Sequence, residues 1–161
     1  MIRAVPTRAT LADLPAILEL QRWAFQSEAV LVGDPAIPPL TQTLEQLERE
    51  LEQRIFLKLE QSGNLVASVR GNRDESGWAH IGRLMVHPLS RGEGLGSSLM
   101  REMEHELSPC VGYRIFTSAL GTSNIRLYEY LGYCISSRER VGALEMVFLT
   151  KEGSRHESVD D

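Results

Sequence analysis

Apolar positions recur along this chain with two different periods, and the switch between them divides the sequence into a helical first third, a run of strands, and an alternation of helix and strand. Ile2–Val5 reads as a short strand. Thr10 with Asp13 three residues later signals a helix start, and Leu11, Leu14, Leu18 and Phe25 follow at helical spacing, so the first helix is expected over about 10–27. Asp34-Pro35 and Pro38-Pro39 predict non-helical backbone, until Thr43 and Gln46 form a second capping pair ahead of Leu44, Leu47 and Leu51. That second helix is expected to end near Gln53.

The period then becomes two. Arg54–Glu60, Asn64–Arg70 and Trp78–His87 are rich in β-branched and aromatic residues and are separated by turn signals, which predicts an antiparallel meander. A glycine-rich turn over Arg91–Gly96 leads into a helix with Leu95, Leu99, Met103 and Leu107 on one side, closed by Pro109. Tyr113–Ala119 reads as a strand, Ser123–Leu131 as a short helix stopped by Gly132, and Cys134–Arg140 with Ala143–Thr150 as a closing hairpin across Val141-Gly142. The order βααβββαβαββ predicts an α/β (α+β) single domain, a mixed and mostly antiparallel sheet with helices on both faces.

Composition narrows the function classes. With 161 residues, 42% apolar and 24% charged, the chain is expected to form one domain over 1–150 and to end in a polar tail over 151–161. No uninterrupted apolar run exceeds four residues, far short of the roughly 20 that span a bilayer, so neither a membrane nor a secreted location is expected. Cys110 and Cys134 read as buried thiols in a cytoplasmic protein. The net charge of −5 and the absence of a Lys/Arg block argue against a nucleic-acid partner. The acidic balance mildly favours cationic acceptors such as polyamines, aminoglycosides or lysine side chains.

The chemistry concentrates in Leu84–Gly96, where a strand runs directly into a helix through a turn with glycines at 92, 94 and 96. Glycines at alternate positions permit left-handed backbone and let consecutive N–H groups point inward, and such a row at a helix N-terminus binds phosphate. The turn lacks the Lys of a P-loop and the spacing of a dinucleotide fingerprint. A tight turn without a ligand remains the plain alternative.

Val86-x-Pro88-x-x-Arg91-Gly92-x-Gly94-Leu95-Gly96 resembles the acyl-CoA-binding motif of the GNAT superfamily of N-acetyltransferases, and Asn124-x-x-Leu127-Tyr128-Glu129-x-x-Gly132-Tyr133 resembles the second signature of that family. The resemblance spans about 2–150, and its stretch Leu20–Leu40 is similar to a bacterial subgroup without an assigned substrate. It implies acetyl-CoA as the cofactor, no metal, and transfer of an acetyl group to a primary amine of a small molecule or peptide in a ternary complex. The pyrophosphate would lie on the N–H groups of Arg91, Gly92, Glu93, Gly94, Leu95, Gly96 and Ser97. The pantetheine arm would pair with the backbone of Leu84, Met85 and Val86, and an N–H of Met85 or Val86 would polarise the thioester carbonyl. Tyr128 would be the general acid toward the departing thiolate, with Asn124 one turn earlier contacting the cofactor arm or orienting the phenol.

Many family members carry a Glu on the fourth strand as general base, but Ala79–Arg83 offers no carboxylate. His80 and Glu28 are the candidates, against the plainer readings of a solvent-facing strand residue and a solvated helix-end carboxylate. Glu45, Glu48, Glu50 and Glu52 read as the wet face of the second helix. A non-catalytic acyl-CoA-binding or regulatory domain is the alternative from another class, and a partner-binding domain with a vestigial turn is a third. The resemblance leaves a homodimer open.

Overall fold

A computed structural model describes residues 5–153. Seven strands form one sheet in the order β1-β2-β3-β4-β5-β7-β6, where β1 is Thr7–Arg8, β2 Ile55–Gln61, β3 Asn64–Arg73, β4 Trp78–Val86, β5 Gly112–Ser118, β6 Cys134–Val141 and β7 Leu144–Glu152. The meander β2-β3-β4 is antiparallel, β4 and β5 are parallel, and β6-β7 is the closing hairpin, so the expected architecture holds. The strand expected at Ile2–Val5 falls largely outside the described residues. The first strand observed is β1, two residues that pair with Lys58 and Leu57 of β2.

Two helical expectations are corrected. The first helix, α1 (Leu14–Val32), follows a 3-10 turn at Leu11–Asp13, where the Asp13 carboxylate accepts a hydrogen bond of 2.8 Å from the Thr10 N–H. It runs on beyond residue 27, because nothing from Gln26 to Val32 breaks a helix and Gly33, at φ 69°, is the first residue that ends it. Pro38 does not hold the chain open. It starts the one-turn α2 (Pro38–Thr41), a position where the missing N–H costs nothing. In α3 (Leu44–Gln53) the capping box forms as expected, with Thr43 Oγ1 accepting from the Gln46 N–H at 3.1 Å and Gln46 Oε1 from the Thr43 N–H at 2.9 Å.

Each face of the sheet is covered by its own group of helices. Leu14, Ile17 and Leu18 of α1 and Leu47 of α3 pack with Phe56 and Met85 on one face. On the other, Leu99, Met100 and Met103 of α4 (Leu95–Leu107) and Tyr128 of α5 (Thr122–Tyr130) pack with Leu57, Val69, Ile81, Ile115 and Val147.

Three side-chain expectations fail. Glu50 is not on the wet face of α3, since its carboxylate receives the Arg70 guanidinium at 2.9 Å. Cys134 is exposed on the edge strand β6, all eight residues of which face solvent, while Cys110 is buried and both are free thiols. Lys151 and Glu152, read as the start of a polar tail, extend β7, and the Lys151 ammonium donates to Glu104 at 3.0 Å. The rest of the tail, 154–161, lies outside the described residues.

Candidate functional site

The site begins with an irregularity in β4. Opposite β3, Ser68 pairs with Met85 and Arg70 with Gly82, so Arg83 and Leu84 together face the single residue Val69. Such a bulge bends a strand. Arg83 takes up the extra residue with left-handed backbone at φ 50°, which is uncommon for a side chain of its size. On its other edge β4 pairs with β5 only over Trp78–Ile81, and from Gly82 to Val86 the two strands have separated. The unpaired edges of two parallel strands then face one another across a gap.

Beyond the gap the chain passes through a 3-10 turn at Pro88–Ser90 and the glycine turn. Gly92 and Gly94 are left-handed, at φ 82° and 79°, and a Cβ built on either would meet nothing within 4 Å. Their glycines therefore answer to backbone hand and to an open approach, not to packing. Gly96 differs, since a Cβ there would lie 3.0 Å from Leu127 Cδ2, and its bare backbone is what lets α4 sit close to α5. Gly94 is the N-cap of α4 and supplies no side chain to the first-turn N–H groups, which leaves them for a ligand. Ser97 Oγ, one turn into α4, is sealed from water without a hydrogen-bond partner.

These pieces line one cleft of about 470 Å³. Leu84, Met85 and Val86 form its floor, Arg91, Gly92, Gly94, Leu95, Gly96 and Ser97 one end, and Thr117, Gly121, Ser123, Asn124 and Leu127 a side wall. Phe25, Glu28 and Leu31 of α1 close the opposite side. Burial pushes the Glu28 carboxyl above the ordinary carboxylate range, opposed by the Ser118 hydroxyl and by the charge of Arg83. An orphaned hydroxyl and uncapped amides at one end, with an unpaired strand edge along the floor, suit an elongated ligand that ends in phosphate.

The sequence profile of the acetyltransferase (GNAT) family matches residues 14–133. The chain belongs to that family. GNAT folds of known structure superpose along nearly its whole length. The ribosomal-protein-S18-alanine N-acetyltransferase of Escherichia coli gives a TM-score of 0.77 at 18% identity, covering 96% of this chain and 97% of that one. The PaiA N-acetyltransferase of Thermoplasma acidophilum, in complex with coenzyme A, gives 0.77 at 14%, covering 94% and 99%. YncA, a putative acetyltransferase of Salmonella typhimurium with its cofactor acetyl-CoA, gives 0.73 at 19%, covering 99% of both chains. No protein of curated function matches the chain by sequence.

Within this GNAT fold, eleven of the site residues expected from sequence line the cleft: Glu28, Leu84, Met85, Val86, Arg91, Gly92, Gly94, Leu95, Gly96, Ser97 and Asn124 include both the turn and the nearer base candidate, with Glu93 and Tyr128 outside it. Glu93 points elsewhere and accepts a hydrogen bond of 2.8 Å from the Gln61 amide. Tyr128 is 3% exposed in the core, its ring edge-on to Tyr133 with centroids 6.0 Å apart. Burial pushes its phenol well above the ordinary tyrosine range. His80 sits at the opposite end of β4 from the gap, bonded to the Asp74 carboxylate at 2.7 Å. Ser76 and His80 together hold that carboxyl well below its ordinary range. Among the described residues no group of His, Cys, Asp or Glu is arranged to hold a metal, and no helix is long and apolar enough to cross a membrane.

The sequence reading missed the wall built by Thr117 and Gly121–Ser123, whose polar residues have no motif spacing of their own. Arg83 likewise has no sequence signal, since only the bulge in β4 sets it apart.

Proposed function

We propose that the cleft binds acetyl-CoA and that the protein transfers the acetyl group to a primary amine of a small molecule or peptide by direct attack in a ternary complex. The observation that carries this reading is the separation of β4 from β5 at Gly82–Val86, ending in an uncapped helix N-terminus with the orphaned Ser97 hydroxyl. Uncapped amides and a neutral hydroxyl hold a pyrophosphate through hydrogen bonds and the positive end of α4. A chain of net charge −5 thereby takes up a polyanion without a basic surface. The unpaired edge of Leu84–Val86 offers N–H and C=O groups to an extended amide-bearing arm, as an added strand would. A free N–H of Met85 or Val86 polarises the thioester carbonyl. Acetyl-CoA supplies the activated acyl group.

Glu28 is the base of this reading. It is half-buried in the cleft, and a carboxylate whose pKa burial raises is a stronger base toward an amine proton than a solvated one. Tyr128 holds its proton at every working pH, as a donor to a departing thiolate must. Its absence from the cleft lining favours a second reading, an acyl-CoA-binding domain without turnover. Release of free thiol from acetyl-CoA across a panel of amines and peptides, by the wild-type protein and by Glu28→Gln, separates the two. Thiol release that depends on the amine and falls in the variant supports the enzyme, and saturable binding without release supports the binding domain.

A further inference from the structure

Arg83 is the one residue of the bulge whose chemistry the cofactor leaves unused. Four other arginines of the fold have partners. Arg70 donates to Gln21, Gln42 and Glu50, Arg54 pairs with Glu50 at 3.5 Å, Arg8 with Glu106, and Arg73 with the carbonyls of Leu107 and Pro109. Arg83 makes no hydrogen bond or ion pair within 4.0 Å among the described residues, and its guanidinium lies 5.7 Å from the centroid of the Phe25 ring. It is held there by left-handed backbone, a conformation that costs free energy and that the surrounding structure must impose. Burial lowers its pKa, opposed by the more distant charges of Glu50 and Glu28.

The surroundings give it no anion to spare. Arg54, Arg70 and Arg83 share this region with Glu50 and Glu28, and Glu50 is already engaged by Arg70, Arg54 and Gln42. Glu28 is the carboxylate left, and it lines the cleft where the amine is expected. Phe25, the ring under the guanidinium, lines the same wall, and Leu84, the next residue in the chain, lines the floor.

Building on the acetyl-transfer reading, we propose that the acceptor is a primary amine that also carries a carboxylate, with its ammonium group toward Glu28 and its carboxylate on the Arg83 guanidinium. An arginine fork matches a carboxylate in two parallel hydrogen bonds, and a zwitterion satisfies both half-buried charges at once. The local field reverses the preference that net charge suggests: polyamines and aminoglycosides would set a second cation against Arg83. A free amino acid and a peptide with an acidic side chain near its N-terminus offer the same chemistry.

The test compares matched pairs. Free amino acids are set against their carboxamides, and short peptides with Asp at the second position against the Asn peptides. Thiol release gives kcat/KM, and calorimetric titration of N-acetylated acids and amides into the protein saturated with coenzyme A gives a binding readout that needs no turnover. The acid of at least one pair should win by about 10- to 100-fold, the range of a hydrogen bond to a charged group, and which pair does so identifies the source. In Arg83→Asn, whose side chain tolerates left-handed backbone, the acid-over-amide ratio should collapse toward one without a fall in Tm. Arg83→Lys should restore part of it. Equal handling of acids and amides in both readouts, no binding of any acid, or a ratio that survives Arg83→Asn overturns the proposal. A fall in Tm of the size a core deletion causes would make Arg83 a structural residue and overturn it as well. Failure of acetyl-CoA itself to bind, titrated separately, would instead remove the acetyl-transfer reading.

Discussion

Arg70, 1% exposed in the middle of β3, donates to the Glu50 carboxylate of α3 at 2.9 Å and so ties the helical layer to the sheet through a buried ion pair. Gln42 and Gln21 complete the shell, with the Gln21 amide donating to the Pro39 carbonyl at 2.8 Å, and the guanidinium lies 4.9 Å from the centroid of Phe56. Burial lowers the Arg70 pKa to about 10, still far above neutrality, so the charge is kept. Arg70 Nε has no partner.

A buried pair of this kind is expensive to break and cheap to replace whole. Glu50→Ala should destabilise the fold by about 3–5 kcal/mol, because it strands a buried cation, whereas Glu50→Gln with Arg70→Met should cost far less. Chemical denaturation of the two proteins checks the contrast. Equal losses would mean that the pair contributes packing alone.

Glu28 yields a trade between stability and activity. Its folded pKa is raised, so folding favours the protonated form, and that contribution is present at low pH and lost as pH rises through the folded value. Above that value the ionised carboxylate costs stability, and Glu28→Gln should there raise Tm while lowering kcat. The wild-type rate should fall in acid at a pH above the ordinary carboxylate value of 4.5, and the variant should lose that limb. A variant with unchanged kcat and an unchanged acid limb would remove Glu28 from the mechanism.

Tyr128→Phe deletes one hydroxyl and keeps the ring against Tyr133. With the phenol giving its proton to the thiolate, kcat should drop by about 10²-fold or more while acetyl-CoA affinity stays the same. Because burial moves the phenol's ionisation above its ordinary value of 10, no basic limb from Tyr128 should appear at moderately alkaline pH in the wild-type protein. Equal turnover of the two proteins under conditions where chemistry limits the rate would contradict the assignment.

How far the sequence foretells the structure follows from the range of the interactions involved. The capping box at Thr43 and Gln46, the meander and the strand-to-helix turn are local, and period, caps and glycines reveal them. Glu50 reads as one of four wet glutamates because its partner, Arg70, is twenty residues away and on another element. The extension of α1 to Val32 is not legible because the apolar spacing fades after Phe25, although the stop signal, Gly33, stands only at its true end. The bulge at Arg83–Leu84 has no sequence signature of its own, since a bulge is a mismatch between two strands. The motif singles out Tyr128, and only packing shows that its ring belongs to the core.

Whether the turn and the splayed strands hold acetyl-CoA is decided by titrating acetyl-CoA into the wild-type protein and into Gly94→Val, with both shown to be folded. A valine at a residue of φ 79° that faces open space both strains the turn and fills the phosphate's approach. The wild-type protein should bind saturably and with one site, and at a hundred times its Kd the ligand should stabilise it by about 2.7 kcal/mol, while the folded variant should lose most of that gain. No saturable binding by the wild type, or equal binding by the two folded proteins, would contradict a phosphate cradle at the turn.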